Sequence, residues 1–380
     1  MPPQKVSLYI HIPFCSVLCD YCDFYSVDAG KARGILMDKF IKALIEDIRY
    51  QLKYFNINEI ITAYIGGGTP SVLGARRIRV LLDGLKSIPG FKPVEFTIEA
   101  NPESADEEFL SACIDCGINR ISLGIQSFHE PSRRAVNRIG NAGMLEKSLS
   151  LVSRFFPGAF SADLITGFPY HNESIVLEDI NRLLAFKPAH ISLYSLSVEK
   201  GTLLQENIKS RKVKLPLADE ADALWLAGKD ALEKAGYEHY EVSNFSLPGK
   251  RCLHNMRYWL MNNWLGAGPA ASGTIIDENT GTAKRFSFAP DLEEYIKMPS
   301  LNMAVREELD KVSLIKESLL MGFRCREGPD REKFKRRFGI SIEECIPQTL
   351  ARWKKRDADY TMLFLNGFLS EVFAEIEKKN

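Results

Sequence analysis

The sequence predicts an α/β protein: a partial (β/α)6, TIM-like barrel followed by a small helical domain. Three observations predict it. Six short apolar, β-rich runs, at 6–13, 61–65, 95–99, 120–125, 161–165 and 190–196, are bounded by Gly, Pro, Asn or a charge, as strands are. Helical patterns separate them, and strands alternating with helices imply a parallel sheet. Polar residues then fall at the carboxyl ends of successive strands: Cys15, Gly66, Glu99, Gln126, Asp163 and Tyr194. That is the face on which (β/α) barrels gather their ligands. Six units leave such a barrel incomplete.

The runs are mostly apolar throughout rather than alternating, which suits strands covered on both faces. Between the first two, Met37, Phe40, Ile41, Leu44, Ile45, Ile48 and Leu52 recur at steps of three and four and form a helical stripe. Further helices are predicted over 76–87, 105–116, 145–155 and 175–186. Ser104 is the expected N-cap of the second of these, with Glu107 in its first turn. After Gly201 the pattern changes. A helix over 218–235 precedes a stretch rich in aromatics, Asn and Gly. From Asn302 the chain reads as helical, with Val312, Ile315, Leu319 and Leu320 at core spacing, and 361–372 holds short apolar pieces around Gly367. The expected division is a core over 1–240, a connecting segment over 241–301 and a C-terminal domain over 302–380.

A length of 380 residues is enough for one large and one small domain. Basic and acidic side chains balance at 49 each, so no long-range attraction to nucleic acid or anionic membrane is expected. No apolar run approaches the ~20 residues of a spanning helix. The apolar stretch 6–14 runs into cysteines without a small-residue cleavage site, so a cytoplasmic location is predicted. In that reducing compartment the 8 cysteines are not expected to pair.

Three of them crowd together as Cys15-x3-Cys19-x2-Cys22. Soft thiolates suit iron–sulfur clusters or zinc. Zinc wants a fourth protein ligand, for which Asp20 and Asp23 are poor matches. Three thiolates are one fewer than usually hold a cubane cluster. One iron is then open to an exogenous ligand, and the amine and carboxylate of S-adenosylmethionine (SAM) can chelate it. The spacing, with Tyr9-Ile10-His11-Ile12-Pro13-Phe14-Cys15 and Cys19-Asp20-Tyr21-Cys22-Asp23-Phe24 around it, resembles the radical SAM superfamily. Within it the string resembles the oxygen-independent coproporphyrinogen III dehydrogenase branch, and most closely its haem-chaperone-like HemW members. The resemblance implies a 4Fe–4S cluster on Cys15, Cys19 and Cys22, a radical SAM barrel and a C-terminal domain of winged-helix type.

It also implies a set of SAM contacts. Gly66-Gly67-Gly68-Thr69-Pro70 resembles the loop that receives the SAM amino group, with Gly67, Gly68 and Thr69 against it. Glu99 ends the third strand, where a carboxylate accepts from ribose hydroxyls or the amine. Gln126 and Arg138 resemble further contacts. Asp163 stands in an apolar strand, where an unpaired charge is costly and a partner or ligand is expected. Tyr9, Tyr21 and Ser195 complete the implied pocket. The glycine segment from Gly266 to Ser272 is expected to close over SAM.

Three features separate the two branches. Phe24 stands where the dehydrogenase has a fourth cysteine. The first cysteine comes already at position 15, where the dehydrogenase carries a longer N-terminal arm. His254-Asn255-Met256-Arg257-Tyr258-Trp259 matches the His-Asn-x-x-Tyr-Trp motif of the chaperones. Histidine is a frequent axial ligand of haem iron, and Tyr258, Trp259 and Trp264 offer flat apolar surface. His254 is therefore the candidate haem ligand; the alternative is a histidine hydrogen-bonded within a turn. The expected function is haem binding and transfer to apo-haemoproteins, respiratory enzymes among them, with an electron donor for the cluster and peripheral membrane association as further expectations. The alternative is oxidative decarboxylation of coproporphyrinogen III. Cys113 and Cys116 read as half-buried helix positions and Cys252 as a packed thiol. His11 reads as a strand residue supporting the cysteine loop. The basic run Arg331, Lys333, Lys335, Arg336 and Arg337 reads as a solvated helix face, and nucleic acid is not an expected partner.

Overall fold

All six predicted runs form strands in the computed structural model, which describes residues 4–32, 34–299 and 304–378. They are β1 (Gln4–Ile12), β2 (Ile57–Gly67), β3 (Phe91–Ala100), β4 (Arg120–Gln126), β5 (Phe160–Thr166) and β6 (His190–Ser195). They lie side by side in that order, all parallel. The intervening helices are α1 (Gly34–Tyr54), α2 (Gly74–Lys86), α3 (Glu107–Asp115), α4 (Ala142–Phe155) and α5 (Glu173–Leu184), with α6 (Ala218–Lys234) after β6. The N-cap of α3 is Asp106, not Ser104: its carboxylate accepts from the Phe109 amide at 2.8 Å. Ser104 instead pairs with Ser71, 2.7 Å away. Cys113 and Cys116 are fully packed rather than half-buried.

The strands alternate more strictly than their composition suggests. Val6, Leu8 and Ile10 of β1 point outward to the helices, as do Ile98 of β3 and Ile121 and Leu123 of β4, and all are buried. Ser7, Thr62, Glu95, Thr97, Arg120, Ser122, Ser161, His190 and Ser192 occupy the opposite face, equally buried. Both faces are covered, as expected, but the concave one is polar. Buried polar groups demand partners, and these are supplied partly by a segment distant in sequence. Helix α7 (Leu253–Trp259) stoppers the amino-terminal half of the barrel. Glu95 accepts from the backbone amides of Leu253 and His254 at 3.0 and 2.7 Å. Arg257 donates to Ser7, and Arg120 donates to the Lys250 carbonyl at 3.2 Å.

The sheet does not stop at six strands. β7 (Glu238–Glu241) and β8 (Asn244–Ser246) add an antiparallel edge beside β6. At the other edge β9 (Trp264–Ala267) runs parallel to β1, followed by antiparallel β10 (Ser272–Asp277), β11 (Thr282–Ser287) and β12 (Ala304–Leu309). The order is β12-β11-β10-β9-β1-β2-β3-β4-β5-β6-β8-β7, and its ends do not pair. The barrel is thus open. Gly268 shows why glycine is required on this edge: at φ +105°, a Cβ there would lie 2.4 Å from the His11 carbonyl oxygen. That segment pairs beside β1 and does not line the cavity described below.

The expected boundary at 301/302 falls outside the described residues. Helices begin at Lys311 and run to Glu377, with Ala358–Leu363 and Leu365–Glu377 replacing the short pieces expected near Gly367. Within the expected C-terminal domain, β12 pairs with β11 and the described residues beyond Lys311 are helical. It has its own core around Leu314, Leu319, Phe338, Ile346, Phe368 and Val372. The basic helix Arg331–Phe338 is only partly solvated. Lys333 donates to the Leu260 carbonyl at 2.9 Å, and Arg337 to that of Met261 at 3.0 Å and to Glu278. These bonds seat the helical region on the segment after α7. No described helix is long and apolar enough to cross a membrane.

Candidate functional site

Twelve of the fourteen residues expected at the site meet in one cavity of about 550 Å³ at the carboxyl ends of the strands. Cys15, Cys19, Cys22, Tyr21, Gly67, Gly68, Thr69, Glu99, Gln126, Arg138, Asp163 and Ser195 line it. Tyr9 does not. It points into the barrel below, stacks on Tyr64 at 6.4 Å and places its hydroxyl 3.1 Å from His11 Nδ1. His254 does not either. It is 1% exposed, with Nδ1 3.0 Å from Thr62 Oγ1 and Nε2 3.0 Å from Tyr258 Oη. Burial pushes its pKa down to about 3. Both ring nitrogens are engaged inside the stopper, so the expected role as a haem ligand gives way to a structural one.

The cysteine loop follows β1 directly and is pinned on several sides. The Thr69 amide donates to the Phe14 carbonyl at 2.7 Å, and the Asp20 amide to that of Val136 at 3.0 Å. Asn137 Nδ2 donates to the Leu18 carbonyl at 2.9 Å. After β6 the helix Leu203–Lys209 returns across the loop. The Leu204 amide meets the Asp20 carbonyl at 2.8 Å, and Asn207 Nδ2 meets the Asp20 carboxylate at 2.9 Å. His11 buttresses the loop as expected, with Nε2 2.8 Å from the Tyr25 carbonyl oxygen.

Arg138 joins this loop to the sheet. Nη1 lies 3.8 Å from Cys19 Sγ, and Nη2 donates to Asn101 Oδ1 at 2.7 Å and to the Gly124 carbonyl at 2.6 Å. Asn101 Nδ2 donates in turn to Thr69 Oγ1 at 2.9 Å, and Thr69 Oγ1 lies 3.5 Å from Cys15 Sγ. Burial raises the Cys15 thiol pKa, with the Thr69 and Ser26 hydrogen bonds opposing it; burial pushes Cys22 up to about 11. Asn101 is a residue to which the sequence reading assigned no role. Its position at the end of β3, before Pro102, was the available signal. Arg133 was missed altogether. It is 1% exposed and donates to the carbonyls of Ile125, Ser127, Ile139 and Gly140, which fixes the turn that presents Arg138.

The glycine loop is dictated from below. A Cβ on Gly66 would come 2.7 Å from the Glu99 carboxyl carbon, and Gly67 has φ +103°. Glu99 accepts from Tyr64 Oη at 2.8 Å and from the Gly67 amide at 3.1 Å. Burial pushes its pKa up to about 7 against these bonds. Burial likewise raises Asp163, opposed by Ser192 and Ser122; Ser122 Oγ lies 3.3 Å from its carboxylate.

Residues 9–183 of the chain match the Radical SAM superfamily. The chain is 34% identical to the haem chaperone HemW of Lactococcus lactis over 340 residues, covering 89% of this chain and 86% of that protein. The chain belongs to the HemW family. HemW of Escherichia coli is also 34% identical, over 72% of this chain and 71% of that protein. The solved structure of coproporphyrinogen III oxidase (HemN) from Escherichia coli has the same fold, with a TM-score of 0.81 over 100% of this chain and 92% of that one at 19% identity.

Membership of the superfamily implies a 4Fe–4S cluster and SAM, and the donor set of this HemW-family chain fits both. The cavity lining holds three thiols and neither a fourth cysteine nor a histidine. Three soft ligands leave a cubane one open iron. Beside them stand unsatisfied polar atoms: Gln126 Oε1 and Arg138 Nε are buried without a partner. Gln126 also holds a left-handed backbone, φ +71°. Strain of that kind in a non-glycine residue persists where the surrounding structure enforces it, commonly at ligand sites.

Proposed function

We propose that this HemW-family chain is a haem chaperone that binds haem and transfers it to apo-haemoproteins, and that it carries a SAM-coordinated 4Fe–4S cluster. The single observation that supports it is the 34% identity to a haem chaperone over 89% of the chain. Phe24 adds to it. The aromatic ring stands 64% exposed at the cavity, at the position where the dehydrogenase branch has a cysteine.

In this reading Cys15, Cys19 and Cys22 hold three irons. Arg138 offsets thiolate charge at Cys19 and fixes Asn101. Gly67, Gly68 and Thr69 offer a close backbone approach to the SAM amino group, Glu99 accepts from its ribose or amine, and Gln126 fills its own vacant acceptor. Asp163, Tyr21 and Ser195 complete the walls. When bound, the cluster and SAM supply one-electron reductive cleavage of a sulfonium bond. The chain's own contribution is to bind, orient and shield: the stoppered barrel keeps water from the amino-terminal side. Acceptors include respiratory enzymes reached from the cytoplasm by peripheral contact with the membrane, and a separate protein donates the electron.

The test uses anaerobically reconstituted protein. One sample receives coproporphyrinogen III, SAM and a reductant; a second is titrated with haem. Stoichiometric haem binding without protoporphyrinogen formation is the expected result. Decarboxylated product at catalytic turnover, without saturable haem binding, makes the chain an oxidase instead.

A further inference from the structure

The chain has six histidines, and a haem iron held by imidazole needs one that reaches the surface. Five are buried: His11, His171, His190, His239 and His254 are at most 8% exposed. His190 Nε2 lies 2.8 Å from Tyr240 Oη, and His11 and His254 are engaged as described. His129 alone is not buried. It caps the helix Glu130–Ala135, in the loop that follows β4. Its Nδ1 lies 2.7 Å from Ser132 Oγ, which donates to the Pro169 carbonyl at 2.5 Å. That bond orients the ring, as the outer partner of a metal-binding histidine does. Among the described residues Nε2 has no hydrogen-bond partner.

Two neighbours carry the rest of what a haem needs. Tyr170 follows Pro169, so the Ser132 bond ties its loop to that of His129. Its ring is 65% exposed, on a left-handed backbone of φ +68°. Arg134, five residues after His129 in the same helix, is paired only loosely, 3.4 Å from Glu130, with 69% of its side chain exposed. Such an exposed pair contributes little and exchanges readily for another carboxylate.

We propose that His129 is the axial ligand of the haem iron, with Tyr170 against the porphyrin face and Arg134 pairing with a propionate. This rests on the chaperone reading above and places the cargo on the same rim as the cysteine cavity, not on α7. Burial lowers the His129 pKa, so the imidazole is neutral and its lone pair free at pH 7.

Haem titration of the full chain, followed by absorption and resonance Raman spectroscopy, tests it. His129→Ala is expected to abolish the histidine-ligated spectrum and weaken binding at least tenfold. Arg134→Ala is expected to weaken binding several-fold with the spectrum kept. His129→Asn, which retains a hydrogen-bonding group for Ser132, guards against a folding artefact and is expected to behave as His129→Ala does. If wild type binds haem and the spectrum and affinity of His129→Ala and His129→Asn are unchanged, the site is wrong and the chaperone reading stands. If wild type takes up no haem, both fall.

Discussion

Arg138 answers three needs with one guanidinium. It lies 3.8 Å from Cys19 Sγ and holds Asn101 and the Gly124 carbonyl at 2.7 and 2.6 Å. Arg138→Ala takes this donor from the buried Gly124 carbonyl and the half-buried Asn101 amide oxygen, and a buried orphan costs about 1–3 kcal/mol. The expected outcome is a lower denaturation midpoint and fewer than four irons retained per chain after reconstitution. Arg138→Lys is expected to rescue neither fully, because a point charge cannot replace a planar fork. Glu99 gives a second prediction at this scale. With its pKa pushed up to about 7, it is largely protonated at pH 6 and ionised at pH 8. Only the carboxylate accepts at both oxygens, so SAM affinity measured by calorimetry is expected to rise over that interval. Glu99→Gln is expected to flatten the rise.

Helix α7 shows how an element is held by a residue far from it in sequence. Glu95 caps its first turn with two amide bonds and lies 3.7 Å from Arg120, the two side chains being 8% and 9% exposed. Glu95→Ala strips the cap and leaves Arg120 buried without its carboxylate. Breaking one partner of such a pair costs about 3–5 kcal/mol, so a denaturant titration is expected to show a loss of that order. The strands and helices around α7 were legible because their signals are local: β-rich runs, a stripe at steps of three and four, punctuation by Gly and Pro. The role of His254 was not. Thr62 lies 192 positions away along the chain, and no spacing within a six-residue motif reports a partner that distant. Ser104 and Asp106 show a smaller limit. Both are good caps two residues apart, and Ser104 is occupied by Ser71, in the turn after β2, and by the Asn101 carbonyl, which leaves the cap to Asp106.

Across the whole molecule, the polar lining of the barrel was the least legible property. Ser7, Thr62, Thr97 and Ser122 are ordinary strand residues one by one, and become a hydrophilic core only when six strands curve together. The cavity residues were legible, because cysteines and glycines at strand ends announce themselves; Asn101 and Arg133, which act through those residues, do not. Asp47 ties the opposite edge together. On α1, it accepts from Tyr295 Oη at 2.6 Å and from Gln51 Nε2 at 3.0 Å, and Gln51 reaches the Gly266 carbonyl of β9 at 3.0 Å. Burial pushes its pKa up to about 7, opposed by both bonds. The folded state therefore binds the proton more tightly than the unfolded chain, whose Asp titrates near about 4. Stability is expected to be full below that value and to fall as pH rises through 7. Asp47→Asn is expected to flatten the fall, read as denaturation midpoints at pH 5 and pH 8. The stopper formed by α7 has one more consequence, a matter of traffic. With the floor blocked, passage is left to the carboxyl rim and to the seam between the unpaired edges of the sheet, and nothing crosses the molecule from one end to the other.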